Sequence, residues 1–149
     1  MRTPNLRRAI RCVPGLRAIV ERDYAEFANA RRANGFKSCL ILCGGLVDAL
    51  HLDALERNSA RAAGAKRADK GKPLADWNLS TMIDVAGEIS LVSQGALRMA
   101  NVVRDFRNLV HPGKERRGDY LIEAHEAEVA EAGINAVIRD LRRRSTKIP

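Results

Sequence analysis

A chain of 149 residues with 46% hydrophobic content is sized for one domain with its own core, and residues 1–149 are read as a single helical domain. Aromatics make up only 4% of it, so Leu, Val, Ile and Ala must fill that core, a composition that favours helices packed on helices. A net charge of +8 favours a polyanionic partner or at least an anionic substrate, although a merely Arg-rich surface has the same composition.

Residues 1–12 form a basic arm carrying Arg2, Arg7, Arg8 and Arg11. Its charge faintly resembles a transit peptide, but it lacks the apolar stretch of a signal peptide and is read as mature sequence. A first helix is expected from near Pro14, where proline is tolerated in the first turn, to a stop at Asn34-Gly35. Leu16, Ile19, Val20 and Phe27 recur on it at helical spacing.

A second helix is expected from about Lys37 to Arg61 or beyond. It is apolar almost all round between Cys39 and Leu55, which marks it as the central, most buried helix. Gly44-Gly45 within it costs about 1 kcal/mol per residue relative to alanine, so the pair signals either close approach of another helix or a kink. The apolar run from Cys39 to Leu50 is short for a membrane span and contains Asp48, and no membrane association is expected. Three cysteines cannot all pair within one chain. Cys39 and Cys43, one turn apart on an apolar helix, read as small hydrophobes in a reducing, cytoplasmic setting. Cys39, Cys43 and His51 lack a fourth ligand and the usual spacing, so neither a metal nor another cofactor is expected.

Residues 61–76 read as a basic, mobile loop, with Arg61, Lys66, Arg67, Lys70 and Lys72 punctuated by Gly64, Gly71 and Pro73. Trp77 is expected to pack that loop on the bundle. A short helix follows from Leu79 to Ala86, with Gly87 at its end. Ser90 or Ser93 then caps a helix expected to run to His111, where Pro112-Gly113 stops it. A cationic loop over 113–118 follows, and Asp119 is expected to cap a final helix from Tyr120 to about Arg144.

The segment from Val103 to Gly113 holds the chemistry. At about 100° per residue, with Val103 at zero, Arg107 falls near 40°, His111 near 80°, Arg104 near 100° and Asn108 near 140°. Met99, Val102, Val103, Phe106, Leu109 and Val110 fill the opposite arc, so the polar group sits at the shoulder of the buried stripe. An imidazole moves protons near neutral pH, and a guanidinium presents a fork of donors to phosphate oxygens. The plainer reading is that these cations cap the end of a helix and complement its dipole.

The run R-D-F-R-N-L-V-H-P-G resembles the signature helix of the HEPN superfamily, all-α domains that include many RNA-cleaving toxins and defence effectors. The motif is an arginine followed by a polar residue and, after four to six intervening residues, a histidine. Arg104, followed by Asp105, has that spacing to His111; Arg107-Asn108 has the Arg-polar start but sits one residue short. The segment over 39–55 resembles the early long helix of such domains. The resemblance implies a HEPN-like bundle of four or five helices, usually paired as a homodimer. It also implies a metal-independent endoribonuclease with His111 as acid/base, Arg104 and Arg107 on phosphate, and Asn108 orienting them. Asp105 would support the arginines. Asp48 on the central helix would either hold a motif arginine or be a buried acid paired with any nearby arginine. Lys114, Arg116 and Arg117 would draw in the RNA backbone. In a toxin–antitoxin or antiviral pairing, the cognate partner would be a small nucleotidyltransferase. The alternative is a non-catalytic helical module, regulatory or RNA-binding, whose motif helix serves only an interface. His51 and His125 have no convincing partner set, and no spacing of a DNA-binding helix-turn-helix emerges.

Overall fold

The computed structural model describes residues 14–118 and 121–145, and among them every regular element is helical. Seven helices follow in order: α1 (Pro14–Arg32), α2 (Phe36–Glu56), α3 (Ser59–Gly64), α4 (Leu79–Glu88), α5 (Gln94–Arg107), α6 (Pro112–Arg117) and α7 (Ala124–Ser145). The all-α expectation is met, with seven helices among the described residues where four or five were expected. Helix α3 straddles the expected end of the second helix, and α6 stands where a loop over 113–118 was expected. The basic arm over residues 1–12 lies outside the described residues, as do Cys12, Asp119 and Tyr120.

Helix α2 is the axis of the fold and packs against α1, α4, α5 and α7. Twelve of its 21 residues are buried, from Cys39 through Leu55. It is also long and apolar enough to cross a membrane by length and composition, beyond the shorter run read from the sequence. Yet 67% of the relevant window is buried inside the protein. Cys39 and Cys43 are buried free thiols within it, and burial pushes both thiols up from their ordinary range.

The helix ends show how local sequence sets the layout. Asn34 takes a left-handed conformation with φ 58°, and the Gly35 N–H reaches back to the Ala30 carbonyl at 2.8 Å, closing α1. The expected continuation of α2 to Arg61 is broken at Asn58. Its side-chain amide donates to the Ala54 carbonyl at 2.8 Å, so a side chain takes a backbone acceptor and the chain turns before α3. Ser93, not Ser90, caps α5, accepting from the Ala96 N–H at 3.2 Å. The Asp140 carboxylate of α7 in turn accepts from the Ser93 N–H at 2.8 Å. Burial alone would raise Asp140; its bonds from Ser93 and Arg139 outweigh that and hold it below the ordinary carboxylate range. The last helix starts at Ala124, after Tyr120, and Glu126 accepts from the Glu123 N–H at 3.2 Å, the reach-back half of a capping box.

The basic stretch over 61–76 is more ordered than its composition suggests. It begins inside α3, and the Glu88 carboxylate accepts from the Lys66 and Arg67 N–H groups at 2.6 and 3.1 Å. Those bonds lower the Glu88 carboxyl from its ordinary range. Trp77, only 7% exposed, donates its indole N–H to the Asp69 and Lys72 carbonyls, both at 3.1 Å.

Two glycines set the approach of α5. A methyl on Gly44 would sit 3.0 Å from the Arg107 Cα and closer still to its Cβ, whereas one on Gly45 would meet nothing within 4 Å. A methyl on Gly133 of α7 would fall 2.6 Å from Val103 Cγ2. Of the Gly44-Gly45 pair, close approach is therefore the reason for Gly44 alone. Gly44→Ala should lower unfolding stability by about 1–3 kcal/mol through overpacking. Gly45→Ala should be neutral or gain up to about 1 kcal/mol of helix propensity. Equal effects in urea unfolding of the two variants would contradict this packing.

His51 is fully buried in α2, its Nδ1–H donating to the Val47 carbonyl at 2.8 Å while Nε2 has no hydrogen-bond partner. Burial lowers its pKa from 6.5 to about 4, with the Val47 bond opposing. The folded state therefore binds fewer protons than the unfolded state between those values. Stability is complete above pH 6.5 and is lost as pH falls toward 4. Unfolding at pH 5 should cost about 2 kcal/mol less than at pH 7 on this account, at roughly 1.4 kcal/mol per unit. The difference should shrink in His51→Leu; an unchanged pH dependence in that variant would rule His51 out as its source.

Candidate functional site

The segment 103–113 is not one helix. Pro112 has no N–H to continue the ladder, and a residue before proline is pushed out of the helical region. Helix α5 accordingly ends at Arg107, the chain tightens into a 3-10 turn over Asn108–Val110, and His111 is extended at φ −95°, ψ 108°. His111 becomes the residue preceding α6, with Pro112 in that helix's first turn. Its carbonyl accepts from the Lys114 and Glu115 N–H groups at 2.9 and 3.1 Å. The expected helical map to His111 is therefore corrected. Each residue of the tighter turn advances about 120°, rotating everything after Arg107.

The expected apolar stripe is narrower than drawn. Val103, Phe106 and Leu109 are buried, while Val102 and Val110 are 41% and 53% exposed.

The two arginines face different neighbours. Arg107 lies over Gly44 and pairs through Nη1 with Asp48 Oδ2 at 2.8 Å. Asp48 is half-buried; desolvation raises its carboxyl and the Arg107 charge opposes that rise. Arg107 stays exposed, so this pair holds the guanidinium from one side and leaves its other donors toward solvent. Arg104 is half-buried: Nη1 donates to the Ser80 hydroxyl of α4 at 3.1 Å, and Nη2 and Nε reach Asp105 Oδ1 at 3.1 and 3.3 Å.

His111 is exposed, and among the described residues its imidazole makes no hydrogen bond. Asn108 accepts from Lys114 Nζ at 3.4 Å. Lys114, Arg116 and Arg117 are exposed on α6, which is a helix and not the expected loop. A Lys37–Glu115 ion pair ties α6 to the start of α2.

A groove of about 500 Å³ opens beside the Arg107–Asp48 pair, between α1, α2 and the turn over 74–78. Arg104 and His111 do not line it. The structure thus brings Asp48 to Arg107, Lys114 to Asn108, and both Ser80 and Asp105 to Arg104, as separate contacts. Ser80 was missed in the sequence, though Asn78, which accepts from the Thr81 N–H at 2.8 Å, is a readable cap that would have placed it in a first helical turn. His125 lies exposed near the start of α7. No three His, Cys, Asp or Glu side chains suited to a metal ion meet among the described residues.

No family model, no characterised protein and no solved structure matches this chain.

Proposed function

We propose that the protein is a metal-independent endoribonuclease of HEPN type, working as a two-fold homodimer on RNA. The observation that carries the reading is the placement of Arg107. It is held by Asp48 at 2.8 Å on one side and remains exposed on the other, with an exposed imidazole four residues on. A guanidinium anchored in this way can meet a phosphate with little loss of side-chain entropy.

In such a reaction the ribose 2′-hydroxyl attacks the neighbouring phosphorus and the 5′-oxygen leaves, giving a cyclic phosphate and a free 5′-hydroxyl. His111 moves the proton, at the attacking or the leaving oxygen, and Arg107 stabilises the charge that builds on the non-bridging oxygens. Arg104, engaged by Ser80 and Asp105, serves better to stiffen the end of α5 than to bind substrate. This favours the Arg107–His111 pair over the wider Arg104–His111 spacing. Lys114, Arg116 and Arg117 extend the cationic edge for backbone phosphates. The exposed Val102 and Val110 support pairing of two such edges across a dyad, which would double the catalytic set. A toxin or antiviral role, restrained by a nucleotidyltransferase-type antitoxin, would suit a nuclease of this kind in the cytoplasm.

One observation favours a second reading, a non-catalytic helical module. Arg104 is occupied by its neighbours, and His111 and Arg104 stand apart from the groove. Purified protein incubated with total RNA in EDTA decides between the two. Cleavage is expected for the wild type, with His111→Ala slower by about a hundredfold or more at unchanged thermal stability. Intact RNA in EDTA and in magnesium alike, with any bound partner stripped away, would favour the module.

A further inference from the structure

The groove beside Arg107 is open to solvent and has the volume of a small-ligand site. Its roughly 500 Å³ lies within the range of about 300–1,000 Å³ typical of such sites. Leu16, Leu52, Met82 and Trp77 supply apolar walls, and its polar groups include Asp48, Asp76 and Arg107. Trp77 turns its indole N–H back into the 69–72 segment and, at 7% exposed, adds a small carbon surface to the groove. The bare backbone of Gly45 adds open space at the α2 side.

The donors and acceptors are asymmetric. A carboxylate accepts and does not donate. Asp48 has one oxygen committed to Arg107, while the Asp76 side chain has no partner among the described residues. A ligand can therefore lay apolar surface on these walls, offer adjacent donors to the exposed Asp76 carboxylate, and present an anionic group to Arg107.

We propose that this groove binds a guanine base of the RNA chain, with Asp76 accepting from N1–H and the 2-amino group and Arg107 holding the attached phosphate. Guanine alone among the four bases presents two adjacent donors on its pairing edge, matching one carboxylate bidentately. Uracil sets a single N–H between two carbonyls that a carboxylate repels. Adenine and cytosine place an acceptor beside their amino group. The assignment rests on the reading that the protein acts on RNA, and names the base its site selects.

Trp77 is the only tryptophan in the chain, so its indole N–H gives one resonance at the groove wall. The full-length protein, labelled with nitrogen-15, is titrated into the millimolar range with guanosine 3′-monophosphate, uridine 3′-monophosphate and inorganic phosphate. The expected result is a saturating shift of that resonance with the guanosine nucleotide, and at least about tenfold weaker response to the other two. Asp76→Asn should weaken the guanosine nucleotide about tenfold or more with the remaining spectrum unchanged. Arg107→Ala should reduce the advantage of the nucleotide over guanosine itself. Equal response to all three probes, or none, overturns the proposal. A protein that cleaves RNA yet gives no shift overturns the guanine site and leaves the nuclease reading standing. One that shifts with guanosine nucleotide yet leaves RNA intact supports the site and removes the nuclease.

Discussion

The crossing of α2 and α5 at Gly44 is the contact on which the rest of the site depends. With no side chain at Gly44, the backbone of Arg107 settles directly on α2, its Cα within 3.0 Å of where a methyl would stand. One turn further along α2, Asp48 is then in reach of the Arg107 guanidinium at 2.8 Å. A larger residue at Gly44 would lift α5 away and lengthen that ion pair. Gly133 of α7 repeats the arrangement on another face of α5, opposite Val103. The helix is held between two close contacts, and its end is fixed in place before any charge is considered.

A second constraint acts where α5 ends. Pro112 removes a donor and restricts His111, so the histidine leaves the helix and stands at the entry to α6. That break takes the imidazole off the buried shoulder and into solvent, while α6 is tied back to α2 through Glu115 and Lys37. The result is an edge on which an anchored arginine, a free imidazole and three exposed cations follow one another in sequence. By contrast, the histidine in the core, His51, is held neutral by burial and belongs to the packing of α2.

Much of the frame was legible in the chain. The all-round apolar character of residues 39–55 marked the central helix, and Asn34-Gly35 marked the end of α1. Gly44-Gly45 signalled either close approach or a kink, and the structure shows close approach at Gly44. The reach of Asp48 to a motif arginine could also be suspected, because an acid on an otherwise apolar helix needs a partner. Which arginine it holds could not be read, since that depends on the crossing of two helices distant in sequence. The break before His111 was legible in principle, from the restriction proline places on its predecessor, but helical periodicity was carried through it. Asn58 ended α2 by a side-chain bond that hydrophobic pattern does not register. The groove beside Trp77 was invisible for a different reason: its walls come from α1, α2, α4 and the 74–78 turn, and only packing brings them together.

The central claim is that Asp48 positions Arg107 for chemistry and contributes little to stability. An exposed or half-exposed ion pair adds at most about 1 kcal/mol to folding, whereas misplacing a catalytic group by an ångström can cost on the order of a hundredfold in rate. Asp48→Asn separates the two quantities. RNA cleavage and urea unfolding measured side by side on that variant should show a rate at least about tenfold lower, with stability within about 1 kcal/mol of the wild type. Cleavage at the wild-type rate in Asp48→Asn would contradict the account.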